Sequence, residues 1–142
     1  MHIPPYENEN KPIVDAGNTT VPSNYFNIVK LKKDEVFEYK VPDYETCVVP
    51  ATGTVNIEVE GLYFNSLGVR YKDVWDGDPE GVYIPTGSTT LITCVSESAE
   101  VFIAGALYNK VLDPFVVRRD EIDFVQYGSD KTKTSRKIKH IL

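Results

Sequence analysis

Two histidines, two cysteines and a scatter of carboxylates are the residues of this chain that could hold a metal or act as nucleophile and base. His2 and His140 lie at opposite ends of 142 residues, so they do not form the multi-imidazole set that a divalent metal draws from neighbouring strands. Asp76, Asp78 and Glu80 alternate in an acidic turn. They could offer oxygen ligands to calcium, but the same pattern suits a solvated turn, which is the reading adopted. Cys47 and Cys94 each sit in an apolar, strand-like run with no histidine nearby to take the thiol proton, which predicts two reduced core thiols. Proton transfer between adjacent carbons needs a well-placed base. Glu58 faces outward by alternation, and Glu35 and Glu45 sit by turns, so all three are expected at solvated edges. Neither a metal nor a catalytic residue is expected within this chain.

Candidates for binding are three. Arg70 lies between Leu67 and the aromatics Tyr71 and Trp75, where a guanidinium fork could grip a carboxylate. The favoured reading is a loop-fixing pair with Asp73 or Asp76. Tyr83, in an apolar run, reads as core with its hydroxyl reaching a partner at the rim. Arg136, in a basic tail, is the third. A site at one mouth of the fold, built from Tyr39, Arg70 and Tyr83, stays open.

The elements that must position these side chains are short strands. VFEYKV alternates, with Phe37, Tyr39 and Val41 on one side. TVNIEVEG sets Val55, Ile57 and Val59 against Asn56, Glu58 and Glu60, and ends at Gly61. CVVPATG before it enters a turn at Gly53, so residues 47–60 are expected to form a hairpin. VYIP and TTLITCV flank a Pro-x-Gly turn. AEVFIAGAL reads as a strand buried on both faces. DPFVVRRDEIDFVQYG reads as a strand, a short helical or turn segment over Arg119–Ile122, and a further strand. Punctuation by Pro, Gly, Asp and Asn at these intervals is an all-β rhythm with little helix, of the kind that closes into a sandwich or small barrel.

Length, 42% hydrophobic and 25% charged content suit one soluble domain over 1–142. Residues 1–22 are expected to be loose, and 129–142 to be a basic link or edge strand. No run is long enough to span a bilayer, and the start lacks a signal-peptide pattern, so the cytoplasm is expected. Residues 131–142 hold five basic residues and no acid, whereas residues 1–130 hold 10 basic and 21 acidic residues. An acidic body repels nucleic acid. The basic tail interleaves Ile138, Ile141 and Leu142 rather than stacking aromatics, which points to docking on an acidic protein surface or a partner sheet.

GVYIPTGSTTLI, Gly81 to Ile92, resembles the second motif of the cupin barrels, with Thr90 at the place where a metal-binding cupin usually carries a histidine. LGVRYKDVWDGDPEGVYIPTGS, Leu67 to Ser88, and FVVRRDEIDFVQYGSDKTKTSRKIKHIL, Phe115 to Leu142, together resemble the 5-deoxy-glucuronate isomerases. The chain departs from that pattern at Trp75, where phenylalanine is common, and in the longer, more basic link GSDKTKTSRK. The resemblance implies a cupin-like β-barrel corresponding to the N-terminal half of a two-cupin protein. Such a protein interconverts aldose and ketose forms of a deoxy uronic acid in inositol breakdown. A related branch acts on a deoxy keto-uronate from pectin. The resemblance also implies that a divalent metal such as zinc, held by histidines and a glutamate, belongs to the second cupin. Arg70, Arg118 and Arg136 match arginines of the family, the last two expected in ion pairs between cupins. Three readings follow: a scaffold half that works with a second cupin or partner chain, a homo-oligomer, and a free-standing module that binds a sugar acid or a protein.

Overall fold

The computed structural model describes residues 7–141. Ten strands account for nearly all regular structure: β1 (Asn24–Lys32), β2 (Val36–Tyr39), β3 (Tyr44–Val59), β4 (Leu62–Arg70), β5 (Gly81–Ile84), β6 (Thr90–Cys94), β7 (Ser98–Leu107), β8 (Phe115–Val117), β9 (Phe124–Tyr127) and β10 (Arg136–Lys139). Single 3-10 turns at Arg119–Glu121 and Asp130–Thr132 complete it. Sheet A runs β1-β7-β3-β5-β8, and sheet B is built from β2, β6, β3 and β4. The architecture is the all-β, cupin-like one that the sequence leads one to expect. The described ladders leave it open rather than ringed, because β1 and β2 each pair on one side only.

The two sheets are joined by β3. Its residues 44–52 pair with β7, and residues 46–48 also with β5, whereas 53–59 pair with β4 and β6. The hairpin expected over 47–60 is therefore absent. CVVPATG and TVNIEVEG are two halves of one strand that changes sheets, since each half finds its own partners rather than the other half. The change occurs at a register shift between Pro50 and Thr52 and at Gly53, with φ +78°. Proline and positive-φ glycine suit such a bulge. A Cβ on Gly53 would lie 2.2 Å from the Ser98 carbonyl oxygen, and one on Gly68 would lie 2.4 Å from the Gly53 carbonyl oxygen, so both must be bare for the sheets to approach. The true hairpin turn comes next, at Glu60–Gly61, where both residues have positive φ, as a two-residue turn of the primed kind requires.

Alternation then fills the interior. Val29, Val48, Val55, Ile57, Leu67, Val82, Ile92, Val101 and Ile103 are fully or almost fully buried between the sheets. On β7 only Ala99, Val101 and Ile103 face in. Ala104, Ala106 and Leu107 are exposed, so this strand is covered on one face, contrary to the expected two. The residues expected to form a loose start are partly tied down. Asn8 donates to Asn27 Oδ1 (2.8 Å) and the Ile28 carbonyl (2.9 Å), Asn10 exchanges hydrogen bonds with Lys30, and Val14 bridges to Phe26.

Candidate functional site

The interior beside Thr90 is where a metal-binding cupin would place a ligand. Thr90 is the first residue of β6 and fully buried, and among the described residues its Oγ1 makes no hydrogen bond of full geometry, the Tyr39 hydroxyl being the neighbour that interacts with it. Across the ladder from it stands Tyr39 on β2, whose hydroxyl shares a 2.8 Å hydrogen bond with Thr46 Oγ1 on β3. Burial pushes the Tyr39 phenol well above its ordinary range, with the bond to Thr46 opposing. This pocket of the core therefore offers neutral hydroxyls. The buried polar residues among those described are Asn27, Thr46, Glu80 and Thr90, and no three His, Cys, Asp or Glu side chains gather there as a ligand set. Hydroxyls that keep their protons are poor ligands for a divalent transition metal, which favours imidazole, thiolate and carboxylate. The residues at this position do not fit the divalent metal of a metal-binding cupin, a metal that the family resemblance assigns to a second cupin. His2 lies outside the described residues, and His140 follows β10 and is exposed, whereas Thr90 is buried.

The other candidates do not converge on one mouth. Tyr39 points into the interior. Tyr83 points to the outer face of sheet A, where its hydroxyl donates to Glu45 Oε2 at 2.7 Å and its ring stacks on Phe115 at 5.1 Å. Burial and the facing carboxylate raise its pKa. Tyr83 is buried and has the hydroxyl partner expected of it, though from the outward side of sheet A, and Glu45 is an acceptor rather than a free solvated edge. Arg70 ends β4 in sheet B, opposite Gly53. Its Nε donates to the Gly77 carbonyl at 2.8 Å, a carbonyl taking the place of the expected Asp73 or Asp76. Burial lowers the guanidinium pKa, with Asp78 opposing. Asp76 instead accepts from the Lys72 and Asp73 amides, and Asp78 pairs with Lys139. Arg136 lies exposed on β10, across from Tyr127 in the β9–β10 ribbon. The tail strand expected to await a partner sheet thus has one neighbour inside its own chain.

Glu80 and Arg118 are the pair that reading the residues one by one missed. Glu80, grouped with a solvated acidic turn, is 5% exposed. Its Oε2 accepts from the Gly68 amide (2.9 Å) and from Arg118 Nη1 (3.4 Å), while Arg118 also donates to the Asn65 and Ser66 carbonyls. The two clasp β4 to the segment after β8, so Arg118 makes its ion pair within the chain rather than between cupins. The apolar Gly-Val-Tyr-Ile run following Glu80 was the one signal that this acid stands at a strand entrance.

Cys94 is a core thiol, as expected, but Cys47 is half-buried on the outer face of sheet A. Burial pushes the Cys47 thiol up to about 12, which argues against a nucleophile. No helix among the described residues is long and apolar enough to cross a membrane.

Comparison with known proteins accounts for this arrangement. The chain is 23% identical over 133 residues to 5-deoxy-glucuronate isomerase of Listeria monocytogenes serotype 4b, covering 92% of this chain and 48% of that protein. It is 25% identical over 109 residues to the enzyme of the same name from Shouchella clausii, covering 76% of this chain and 40% of that one. It spans about half the length of the curated relatives it matches. The fold superposes on an IolB-like protein from Salmonella typhimurium with a TM-score of 0.78 at 18% identity, over 92% of this chain and 52% of that one. A glyoxylate-induced protein from Pseudomonas aeruginosa follows at 0.55 and 14% identity, over 80% and 42%. The family model described as KduI/IolB matches residues 2–142, nearly the whole sequence, and the chain belongs to the KduI/IolB family.

Proposed function

We propose that this chain is the N-terminal, metal-free half of a 5-deoxy-glucuronate isomerase-like protein, serving as scaffold and subunit contact while the aldose–ketose chemistry belongs to a second cupin or partner chain. The observation that carries the reading is the interior at Thr90. Enediol chemistry on a sugar acid needs a base at carbon and an electrophile at oxygen, and a uronate needs a cation. Tyr39, Thr46 and Thr90 supply neutral hydroxyls instead. A divalent metal such as zinc would then act in the second cupin, in the 5-deoxy-glucuronate isomerisation for which the curated relatives are named.

A second reading has one observation in its favour. Arg70 uses Nε to hold the Gly77 carbonyl, and no hydrogen bond to its Nη atoms is found among the described residues. A free-standing module could present those nitrogens to the carboxylate of a sugar acid. One experiment separates the readings: the purified chain is given 5-deoxy-glucuronate with zinc and manganese, and ketose formation and ligand binding are followed together. The scaffold reading expects neither turnover nor binding. Binding abolished by Arg70→Ala favours the module, and turnover above the metal-only blank overturns both.

A further inference from the structure

Gly81 has no backbone reason to be glycine. It opens β5, just before the fully buried Val82, and it is not among the glycines held at positive φ. A strand glycine of this kind marks the close approach of another group. That group is the chain's own Ile141: a Cβ on Gly81 would lie 2.6 Å from Ile141 Cγ2 and 3.3 Å from Val49 Cγ2. Val82 faces in, so Gly81 faces out. It ends the outward row that Ile28, Phe102 and Val49 form across β1, β7 and β3. Ile141 fills the place of the side chain that this row lacks, and Gly81 is buried as a result.

The segment that delivers Ile141 is attached lightly. β9 and β10 pair with each other and with neither main sheet, and every residue of the two strands is exposed except Lys139. A two-stranded ribbon is marginal by itself and needs a surface to rest on. Its turn closes internally: Gly128 has φ +76°, Ser129 and Thr132 cap each other, and Thr132 Oγ1 lies 2.7 Å from Thr134 Oγ1. Among the described residues, the Lys139–Asp78 ion pair is the one polar link from 124–141 to the rest of the chain, with side chains 28% and 49% exposed. Of the chain's 15 basic and 21 acidic residues, 124–141 hold five basic (Lys131, Lys133, Arg136, Lys137 and Lys139) and one acidic, Asp130. Charge therefore draws the ribbon onto an acidic body, and salt weakens the pull. An apolar knob in a notch beside a half-solvated ion pair gives way before a packed core does. On the near side Arg118 is fixed by Glu80 and by the Asn65 and Ser66 carbonyls, which leaves 119–123 as the link on which the ribbon turns.

We propose that residues 124–141 form a strap, closed over one end of the outer face of sheet A by Ile141 in the Gly81 notch, that opens as a unit while both main sheets stay folded. Ionic strength sets the balance. Closed, the strap withholds Val49 and the notch from other contacts; open, it bares them. This goes beyond the scaffold reading and does not depend on where the chemistry lies. The test is amide hydrogen exchange, read by mass spectrometry on the 142-residue chain at about 50 and about 500 mM salt, between which the Debye length falls about threefold. Peptides over 124–127 and 136–139 are expected to exchange at least ~100-fold faster than β7 yet slower than an unstructured chain, and ~3-fold faster at the higher salt. Gly81→Ala should speed the ribbon ~10-fold and β7 by less than ~2-fold. Ile141→Ala should act alike, and adding Gly81→Ala to it should change the rate by less than ~2-fold, because the atom that the new methyl meets is gone. Should Gly81→Ala fail to fold, Ile141→Ala and Asp78→Asn carry the result, both lying at positions open to solvent. Asp78→Asn is expected to speed the ribbon ~3-fold at the lower salt. A wild-type ribbon that is unprotected overturns the inference, since no closed state then exists, and one as slow as β7 overturns it because nothing opens separately. So does a Gly81→Ala effect that persists in full without the Ile141 side chain, or a ribbon indifferent to both Ile141→Ala and Asp78→Asn.

Discussion

Two outward faces of one molecule, joined through a single strand, have opposite chemistry. On sheet B the outward row is Glu38, Leu91, Glu58 and Tyr63, with Val36, Thr93 and Asn56 in the next. On sheet A the corresponding rows run Phe26, Ala104, Cys47, Tyr83, Phe115 and Ile28, Phe102, Val49. The strand β3 contributes to both: its second half shows Thr54, Asn56 and Glu58 to the outside, and the middle of its first half shows Cys47 and Val49. Inward the halves are alike, with Val48 in one and Val55, Ile57 and Val59 in the other. The core needs only the inward set, so the outward set is free to record what each face meets. Sheet B sets acids along its outward row, and the two middle rows of sheet A carry none.

The comparison depends on β3 crossing between sheets, and the largest effect is expected from blocking that crossing. Gly53→Ala would combine positive φ with a Cβ 2.2 Å from backbone oxygen. A loss of about 4 kcal/mol in urea unfolding is expected, and a loss below about 1 kcal/mol would mean that the crossing relaxes. Next comes Glu80→Ala, which strips Gly68 N–H of its acceptor and Arg118 of its counter-ion near the junction. About 2–3 kcal/mol is expected, since Glu80 is buried although Arg118 is partly solvated. A cost no larger than that of a surface mutation would show the clasp to be idle.

Cys47 sharpens the contrast through pH. Its thiol is raised from near 9 to about 12 by burial, so at pH 8 it holds about a thousandfold less thiolate than a free thiol and alkylation should slow by up to that factor. The sign for stability follows: a folded-state pKa above the unfolded one gives a contribution that is complete below about pH 9 and is lost as pH rises toward about 12. Alkylation kinetics on the folded chain, compared with the urea-unfolded chain, measure it, and equal rates would put Cys47 in water. Smallest are two changes in the interior. Thr46→Val removes the 2.8 Å partner of the buried Tyr39 hydroxyl and should cost about 1–2 kcal/mol. Thr90→Val removes a hydroxyl that makes no hydrogen bond of full geometry among the described residues and only a weaker interaction with Tyr39, and should change stability by less than about 1 kcal/mol. A destabilising Thr90→Val, read in the same urea titration, would reveal a partner for that hydroxyl.

The strands around Tyr39, over 54–59 and over 115–127 were legible because alternation and turn residues are local signals. The 3-10 turn at Arg119–Glu121 falls inside the segment expected for it. What misled was also local. Gly53 has the positive φ of a turn residue, and nothing within CVVPATG tells a turn from a bulge that carries a strand onward. Glu80 looked solvated because its neighbours Asp76 and Asp78 are acidic, while the residue that neutralises it lies 38 positions away. Of the binding candidates, Tyr83 was correctly given a hydroxyl partner, yet the acceptor Glu45 is also 38 residues distant. Arg70 was correctly placed in a loop-fixing role but with a carbonyl as its acceptor.

By itself the sequence determined the all-β class, the inward set of aliphatic residues and the family, because periodicity and motif order are properties of consecutive residues. Thr90, at the place where the resemblance to metal-binding cupins leads one to expect a histidine, was also readable there, since a neutral hydroxyl is a far weaker ligand than imidazole for a divalent transition metal. Only the tertiary structure decided that β3 serves two sheets, that Glu80 and Arg118 close on each other, and that Phe26, Ala104, Cys47, Tyr83 and Phe115 lie in one row. Those facts depend on register between strands distant in the chain, and a shift of one residue in any pairing would turn the same side chains to the opposite face.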